Sequence, residues 1–217
     1  MKRRVAILIS GRGSNMTALI EAARAADFPA SIALVVSNVA NAAGLTAARE
    51  AGIATAVVDH KGFGKDREAF ERALQEALDA HGIEIVCLAG FMRLLTPWFV
   101  RQWEGRMLNI HPALLPAFKG LDTHARALAA GVRIHGATVH FVIPEMDSGP
   151  IIMQGAVAVG DDDTEQSLAA RVLAVEHAIY PAALRLVASG AVVLRDGRCS
   201  GPGHKAEPPP PLIMPVL

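Results

Sequence analysis

The sequence has few of the features that mark secreted, zinc-binding or nucleic-acid-binding proteins. Only two of its 217 residues are cysteines, and Cys87 and Cys199 lie in dissimilar surroundings that suggest neither a disulfide framework nor a zinc site. We therefore expect a reducing, cytoplasmic location. Basic and acidic residues balance at 21 each, so no net charge attracts the chain to nucleic acid or to an anionic membrane.

Long hydrophobic runs are also missing. The apolar residues 5–9 follow a basic N-terminus but are too few for a secretion signal. The uncharged residues 28–48 are interrupted by proline, asparagine and glycine, unlike a membrane span. We therefore expect small-molecule substrates as partners, with neither a nucleic acid nor a membrane. A homodimer is compatible with the sequence, which does not itself define an oligomeric state.

Short β-rich apolar runs alternate along the chain with longer helical stretches. This rhythm predicts an α/β fold, a single Rossmann-like domain with a mostly parallel central sheet flanked by helices. The predicted strands cover residues 5–9, 32–36, 55–58, 83–89, 107–110, 137–142 and 151–159. The predicted helices cover residues 16–26, 44–51, 66–81 and 164–187, the last starting with the polar Thr164 and Ser167 and continuing through Pro181.

Residues 10–15, with the sequence Ser-Gly-Arg-Gly-Ser-Asn, join the first predicted strand to the first helix. Free N–H groups and the helix dipole at such a junction favour a phosphate, although glycines also serve a plain tight turn. A dinucleotide is disfavoured because Met16 replaces the third glycine and no acid follows the second strand. The lysine of an ATP-binding loop is missing as well. A phosphate monoester therefore suits the loop better than NAD or ATP.

Asn109 and His111 stand at the end of a predicted strand, where ligands usually bind in α/β sheets. Alternation along the strand points both side chains to one face. An amide can donate to a developing oxyanion and an imidazole can exchange a proton near neutral pH, and acyl transfer to an amine needs both. The alternative is structural, with His111 capping the turn before Pro112 and Asn109 bonding to backbone.

Asp147 and the eight histidines are further candidates for parts of a site. Asp147 lies in a predicted turn from which its carboxylate can reach the cleft, although an Asp before Gly-Pro is usually structural. The eight histidines contain no His-Glu-x-x-His helix, and His135 and His140 are an odd number apart on a predicted strand, so they would face opposite ways. We expect no metal.

Several separated motifs occur in an order that resembles the folate-dependent formyltransferases. They are residues 13–15, 89–95 (Ala-Gly-Phe-Met-Arg-Leu-Leu), 108–116 (Leu-Asn-Ile-His-Pro-Ala-Leu-Leu-Pro), 135–142, 147–150 and 176–181. The resemblance covers residues 4–190. It implies a formyltransferase domain over residues 1–190, with a phosphate-binding half over about 1–100 and a folate and catalytic half over about 101–190. Residues 191–217 would form a short strand and then a mobile, Pro-rich tail.

The resemblance also assigns residues to roles. The catalytic residues would be Asn109, His111 and Asp147, and the phosphoribosyl glycinamide substrate would contact Gly13, Ser14, Asn15 and Glu176. The cosubstrate, 10-formyltetrahydrofolate, would be surrounded by Arg67, Met92, Arg93, Leu94, Leu95, Asn109, Ile143, Pro144, Glu145, Met146 and Asp147.

The resemblance implies direct transfer of the formyl group to the glycinamide amine, a step of purine synthesis. Asn109 and protonated His111 would stabilise the oxyanion and Asp147 would hold the imidazole, while His111 or a water would supply the proton to the leaving folate nitrogen. A methionyl-tRNA formyltransferase would add a C-terminal RNA-binding domain, for which the tail is short and not basic. A formyltetrahydrofolate hydrolase would add an N-terminal regulatory domain, for which we expect no room. A catalytically silent ligand-binding module would not need all three catalytic residues.

Deleting the chain after Ser200 should leave formyl transfer and the melting temperature nearly unchanged, because a Pro-rich segment buries little apolar surface. Activity assays and thermal unfolding of the full and shortened chains test this. A large loss in either measurement would mean that the tail packs on the domain.

Overall fold

The computed structural model describes residues 1–201 and Met214, and it contains a seven-stranded sheet between two layers of helices. The strands of this sheet are β1 (Arg3–Ile9), β2 (Ala30–Ser37), β3 (Thr55–Val57), β4 (Ile85–Leu88), β5 (Met107–His111), β6 (Ile134–Phe141) and β7 (Ile151–Ala158). The helices are α1 (Ser14–Ala23), α2 (Ala43–Glu50), α3 (Arg67–Ala80), α4 (Pro97–Gln102), α5 (Thr123–Ala129) and α6 (Glu165–Ala188), with a short 3-10 helix at His60–Phe63.

The strand order is β3-β2-β1-β4-β5-β6-β7, and the first five strands of the chain pair in parallel. β6 and β7 are antiparallel to their neighbours. The predicted α/β fold with a mostly parallel sheet is therefore confirmed. The order reverses between β1 and β4, and in such sheets this switch point opens a crevice at the carboxyl ends of the strands.

Both faces of the central strands are buried, as expected for parallel strands covered by helices. Along β1, Val5, Ile7 and Ile9 belong to the cluster beneath α1, α2 and α6, whereas Ala6 and Leu8 belong to the cluster beneath α3 and α4. The alternation explains why this strand appears in the sequence as a continuous apolar run.

Helix α6 runs across the sheet for 24 residues, and it starts at the polar residues from which the sequence predicted a helix. The Thr164 side chain caps the Ser167 N–H while the Ser167 hydroxyl accepts from the Thr164 N–H, so the two residues form a capping box. Pro181 lies inside the helix. One turn of helix separates Glu176 from Tyr180, and both are buried.

The sequence did not predict α4, α5 or the 3-10 helix, which are all shorter than eight residues. It also predicted one strand after residue 190, where the chain forms a hairpin of β8 (Val193–Arg195) and β9 (Arg198–Ser200). Asp196 and Gly197 both have positive φ, as the tight Asp-Gly hairpin turn requires. The predicted mobile tail lies outside the described residues.

The Tyr180 side chain on α6 links the neighbouring strands β4 and β5. Its fully buried hydroxyl lies 2.9 Å from the Leu88 carbonyl oxygen and 3.2 Å from that of Leu108. The Tyr180→Phe variant removes only this hydroxyl. It should lower the free energy of unfolding by about 1–2 kcal/mol, because two buried carbonyls lose their shared donor. Urea unfolding measures the change, and an unchanged free energy would show that the hydroxyl contributes nothing.

Candidate active site

The loop after β1 leaves the N-terminus of α1 uncapped. Gly13 has φ 75° at the N-cap position, and no side chain caps the helix within the described residues. No acidic residue occupies the first turn of α1. The free N–H groups and the helix dipole therefore present a positive surface beside the crevice, as an anion site requires.

Asn15 connects this loop to α6. Its Nδ2 donates a hydrogen bond of 2.6 Å to Glu176 Oε2, and both residues are buried. Burial raises the pKa of Glu176, although the bond from Asn15 acts in the opposite direction. Asn15 Oδ1 is buried without a hydrogen-bond partner among the described residues. The structure thus brings three predicted substrate-binding residues, Gly13, Asn15 and Glu176, to one place, and Ser14 lies exposed between them.

Asn109 and His111 lie on the same face of β5, and Asn109 pairs with His140 across the antiparallel strand β6. Asn109 Nδ2 is 3.3 Å from His140 Nε2, and His140 Nδ1 is 2.9 Å from the Phe141 carbonyl oxygen. Burial lowers the pKa of His140, which favours the neutral form of the ring. With its proton on Nδ1, the ring accepts one Asn109 N–H and leaves the second amide hydrogen free.

Asp147 lies between the two histidines. Its Oδ2 is 3.5 Å from His111 Nδ1 and its Oδ1 is 3.9 Å from His140 Nε2. Oδ2 also accepts a 2.9 Å hydrogen bond from the Gly120 N–H. Asp147 has φ 50°, a left-handed conformation that aspartate tolerates better than most residues. The predicted three residues therefore form one continuous polar group with His140.

His111 has an acceptor at each ring nitrogen. Nε2 lies 2.9 Å from the Phe118 carbonyl oxygen, and Nδ1 faces the Asp147 carboxylate. The ring is therefore oriented by a carboxylate at Nδ1 and a backbone carbonyl at Nε2, and Nε2 is the nitrogen that can turn to a ligand.

The residues predicted to surround the folate include several large apolar side chains that are exposed. Met92, Leu94 and Met146 are large apolar side chains that are 67%, 64% and 50% exposed. Exposed apolar side chains of this size are candidates for ligand contact rather than parts of the core. Arg67 donates to the Leu94 carbonyl. Of the other predicted positions, Arg93, Leu95 and Ile143 are partly buried, and Pro144 and Glu145 are exposed.

Sequence reasoning missed His140, the Phe118 carbonyl and the Gly120 N–H as parts of the site. His140 becomes recognisable only when β6 is known to run antiparallel to β5, because that register places it opposite Asn109. The two backbone groups carry no sequence signal. His135 lies apart from His140, with its ring against those of Phe118 and His124.

Within residues 1–201 and Met214, no three His, Cys, Asp or Glu side chains are grouped as metal ligands. In the same part of the chain, no helix has the length and hydropathy to cross a membrane.

Comparisons with known proteins agree with this geometry. A family model described as formyl transferase matches residues 3–184. The chain is 43% identical over 204 residues to phosphoribosylglycinamide formyltransferase of Escherichia coli, covering 94% of this chain and 96% of the relative. The solved phosphoribosylglycinamide formyltransferase of Coxiella burnetii superimposes with a TM-score of 0.89 at 41% identity, covering 94% of this chain and 95% of that one.

The chain therefore belongs to the formyl transferase family, and the predicted resemblance is confirmed. The bacterial relatives that it matches along almost their whole length are phosphoribosylglycinamide formyltransferases. It is also 54% identical over 193 residues to the trifunctional purine biosynthetic protein adenosine-3 of Bos taurus. That match covers 89% of this chain, which spans about a fifth (19%) of the trifunctional relative.

The buried His135 should make folding stability depend on pH. Burial, followed by repulsion from His124, lowers the pKa of His135 to about 4. In the unfolded chain the histidine has a pKa near 6.5, so as the pH decreases the unfolded chain binds a proton before the folded chain does. The free energy of unfolding therefore falls as the pH decreases from about 6.5 towards 4. The loss should be on the order of 2 kcal/mol. Urea unfolding at pH 7.5 and pH 5 should show a smaller decrease in the free energy of unfolding for His135→Leu than for the wild-type protein. Equal decreases in the two proteins would contradict this role of His135.

Proposed function

We propose that this chain transfers the formyl group of 10-formyltetrahydrofolate to the amine of N1-(5-phospho-D-ribosyl)glycinamide. The products are the N-formyl compound and tetrahydrofolate, and the step belongs to purine synthesis. The observation that carries the proposal is the group formed by Asn109, His111 and Asp147 at the end of β5, in a chain that also presents an uncapped helix N-terminus and exposed apolar side chains. The reaction needs an anion site, an oxyanion site and a folate surface together.

The phosphate of the amine substrate suits the N–H groups of the loop containing Gly13 and Ser14. The carboxylate of Glu176 can accept hydrogen bonds from ribose hydroxyls, and Asn15 holds it in place. The amine then lies towards the carboxyl end of β5. On the other side, the apolar side chains of Met92, Leu94 and Met146 can sandwich a flat pterin ring.

The amine attacks the formyl carbon, and the carbonyl oxygen becomes a tetrahedral oxyanion. The free Asn109 amide hydrogen and the Nε2–H of His111 are the donors that can bind this oxygen. His111 would exchange the Phe118 carbonyl for the oxyanion, so the number of its hydrogen bonds is conserved. The attacking nitrogen loses one proton to a water, the bond from carbon to the folate nitrogen breaks, and that nitrogen receives one proton from His111 or from a water beside it, so the protons balance. No covalent enzyme intermediate forms.

Asp147 positions the His111 ring through Nδ1 during these steps. His140 Nε2 accepts from the Asn109 amide, so each of the two oxyanion donors has a neighbouring side chain that orients it. We further propose that the protein works in the cytoplasm, because both described cysteines are free.

Purified protein incubated with 10-formyltetrahydrofolate and one acceptor at a time tests the reaction. The acceptors are N1-(5-phospho-D-ribosyl)glycinamide, water alone and charged initiator tRNA. Formyl transfer to the glycinamide alone is expected. Folate deformylation in water at the same rate would instead identify a hydrolase, and transfer to the tRNA would identify a different formyltransferase.

The Asn109→Ala variant should lower kcat by roughly a hundredfold to a thousandfold with little change in either KM, because an oxyanion donor acts mainly in the transition state. Steady-state kinetics with both substrates measure the effect, and circular dichroism checks the fold. Turnover near the wild-type value would remove Asn109 from the mechanism.

A further inference from the structure

Residues 91–96 lie outside every helix and strand, although they include the apolar side chains proposed to hold the folate. Their backbone is fixed by side chains from other parts of the chain. Arg67 donates to the Leu94 carbonyl, and the buried Glu71 accepts from the N–H of Thr96 at 2.6 Å and from its hydroxyl. Both of these contacts come from α3, on one side of the segment.

The third contact comes from Ser10, the first residue of the loop over residues 10–15. Ser10 Oγ accepts a 2.7 Å hydrogen bond from the Met92 N–H, and the Ser10 N–H donates to the Gly90 carbonyl at 3.1 Å. Ser10 follows β1 and Gly90 follows β4, so the contact bridges the two strands at which the sheet order reverses. It joins the loop proposed to bind the amine substrate to the segment proposed to bind the formyl donor.

The Ser10 hydroxyl is itself held in one orientation. Its single hydrogen is donated to Asn38 Oδ1 at 2.6 Å, which leaves the oxygen lone pairs for the Met92 N–H. Asn38 is buried, and its amide nitrogen lies 3.1 Å from His60 Nδ1. A chain of three polar side chains, from His60 through Asn38 to Ser10, therefore fixes the Met92 backbone at a point where no regular structure does so.

We propose that Ser10 is a positioning residue that sets the location of the folate-binding segment relative to the amine-binding loop. This inference rests on the proposed function. Met92 is 67% exposed, so its own side chain contributes little packing to hold the segment in place. Without the Ser10 hydroxyl, the Met92 N–H turns to water and the apolar side chains must be ordered when the donor binds. Ordering them then lowers the affinity for the donor.

The Ser10→Ala variant tests the proposal in the full chain. Losing one hydrogen bond that preorganises the segment should raise KM for 10-formyltetrahydrofolate, and weaken tetrahydrofolate binding in calorimetry, by roughly fivefold to tenfold. KM for the glycinamide substrate should change less than twofold. The Ser10→Thr variant retains the hydroxyl and should restore most of the affinity.

Ser37→Ala is the matched control. Ser37 is buried at the end of the neighbouring strand β2, and within residues 1–201 its hydroxyl bonds only to the Val39 backbone. A general loss of stability at this edge would therefore affect both variants alike, whereas a positioning role would change the donor affinity in Ser10→Ala alone.

The outcomes separate this inference from the proposed function. Equal tetrahydrofolate affinity in wild-type protein and Ser10→Ala overturns the positioning role, as does an equal loss in Ser37→Ala. Wild-type protein that binds no tetrahydrofolate overturns both proposals. Weaker tetrahydrofolate binding by Ser10→Ala supports the positioning role even if the glycinamide proves not to be the acceptor.

Discussion

The packing of helix α6 across the sheet is the interaction on which the site depends. Glu176 reaches Asn15 in the phosphate loop, and one turn later Tyr180 reaches the carbonyls of Leu88 and Leu108. Leu108 directly precedes Asn109, so the buried face of a single helix fixes the loop over residues 10–15, the end of β4 and the start of β5. Because interiors are densely packed, a displacement of α6 would move all three together.

The second constraint is backbone geometry around His111. Phe118, Asp122 and Asp147 are non-glycine residues with φ near 50°, a region that costs L-residues roughly 1–2 kcal/mol each. Phe118 offers its carbonyl to His111, and Asp147 offers its carboxylate. Gly149 is needed beside them because an added Cβ would lie 1.7 Å from the Phe141 carbonyl oxygen. Unfavourable conformations therefore cluster where the ring must be oriented.

The sequence allowed much of this to be predicted, for identifiable physical reasons. The central strands were found because burial on both faces leaves unbroken apolar runs, and α6 was found because it is long and carries polar residues at its start. The proposed catalytic and binding residues were named from motifs. His140 was not, because its role depends on the pairing register of β6, and neither were the Phe118 and Gly120 backbone groups.

The aromatic residues make the two helical layers separately observable by spectroscopy. Tyr180 is the chain's only tyrosine, and it lies between α6 and the sheet. Both tryptophans, Trp98 and Trp103, pack on the opposite face around α4. Tyrosine and tryptophan signals in near-ultraviolet circular dichroism therefore come from opposite sides of the sheet. If the tyrosine and tryptophan signals change together during unfolding, the whole domain is lost cooperatively. If they change at different denaturant concentrations, one helical layer is released before the other.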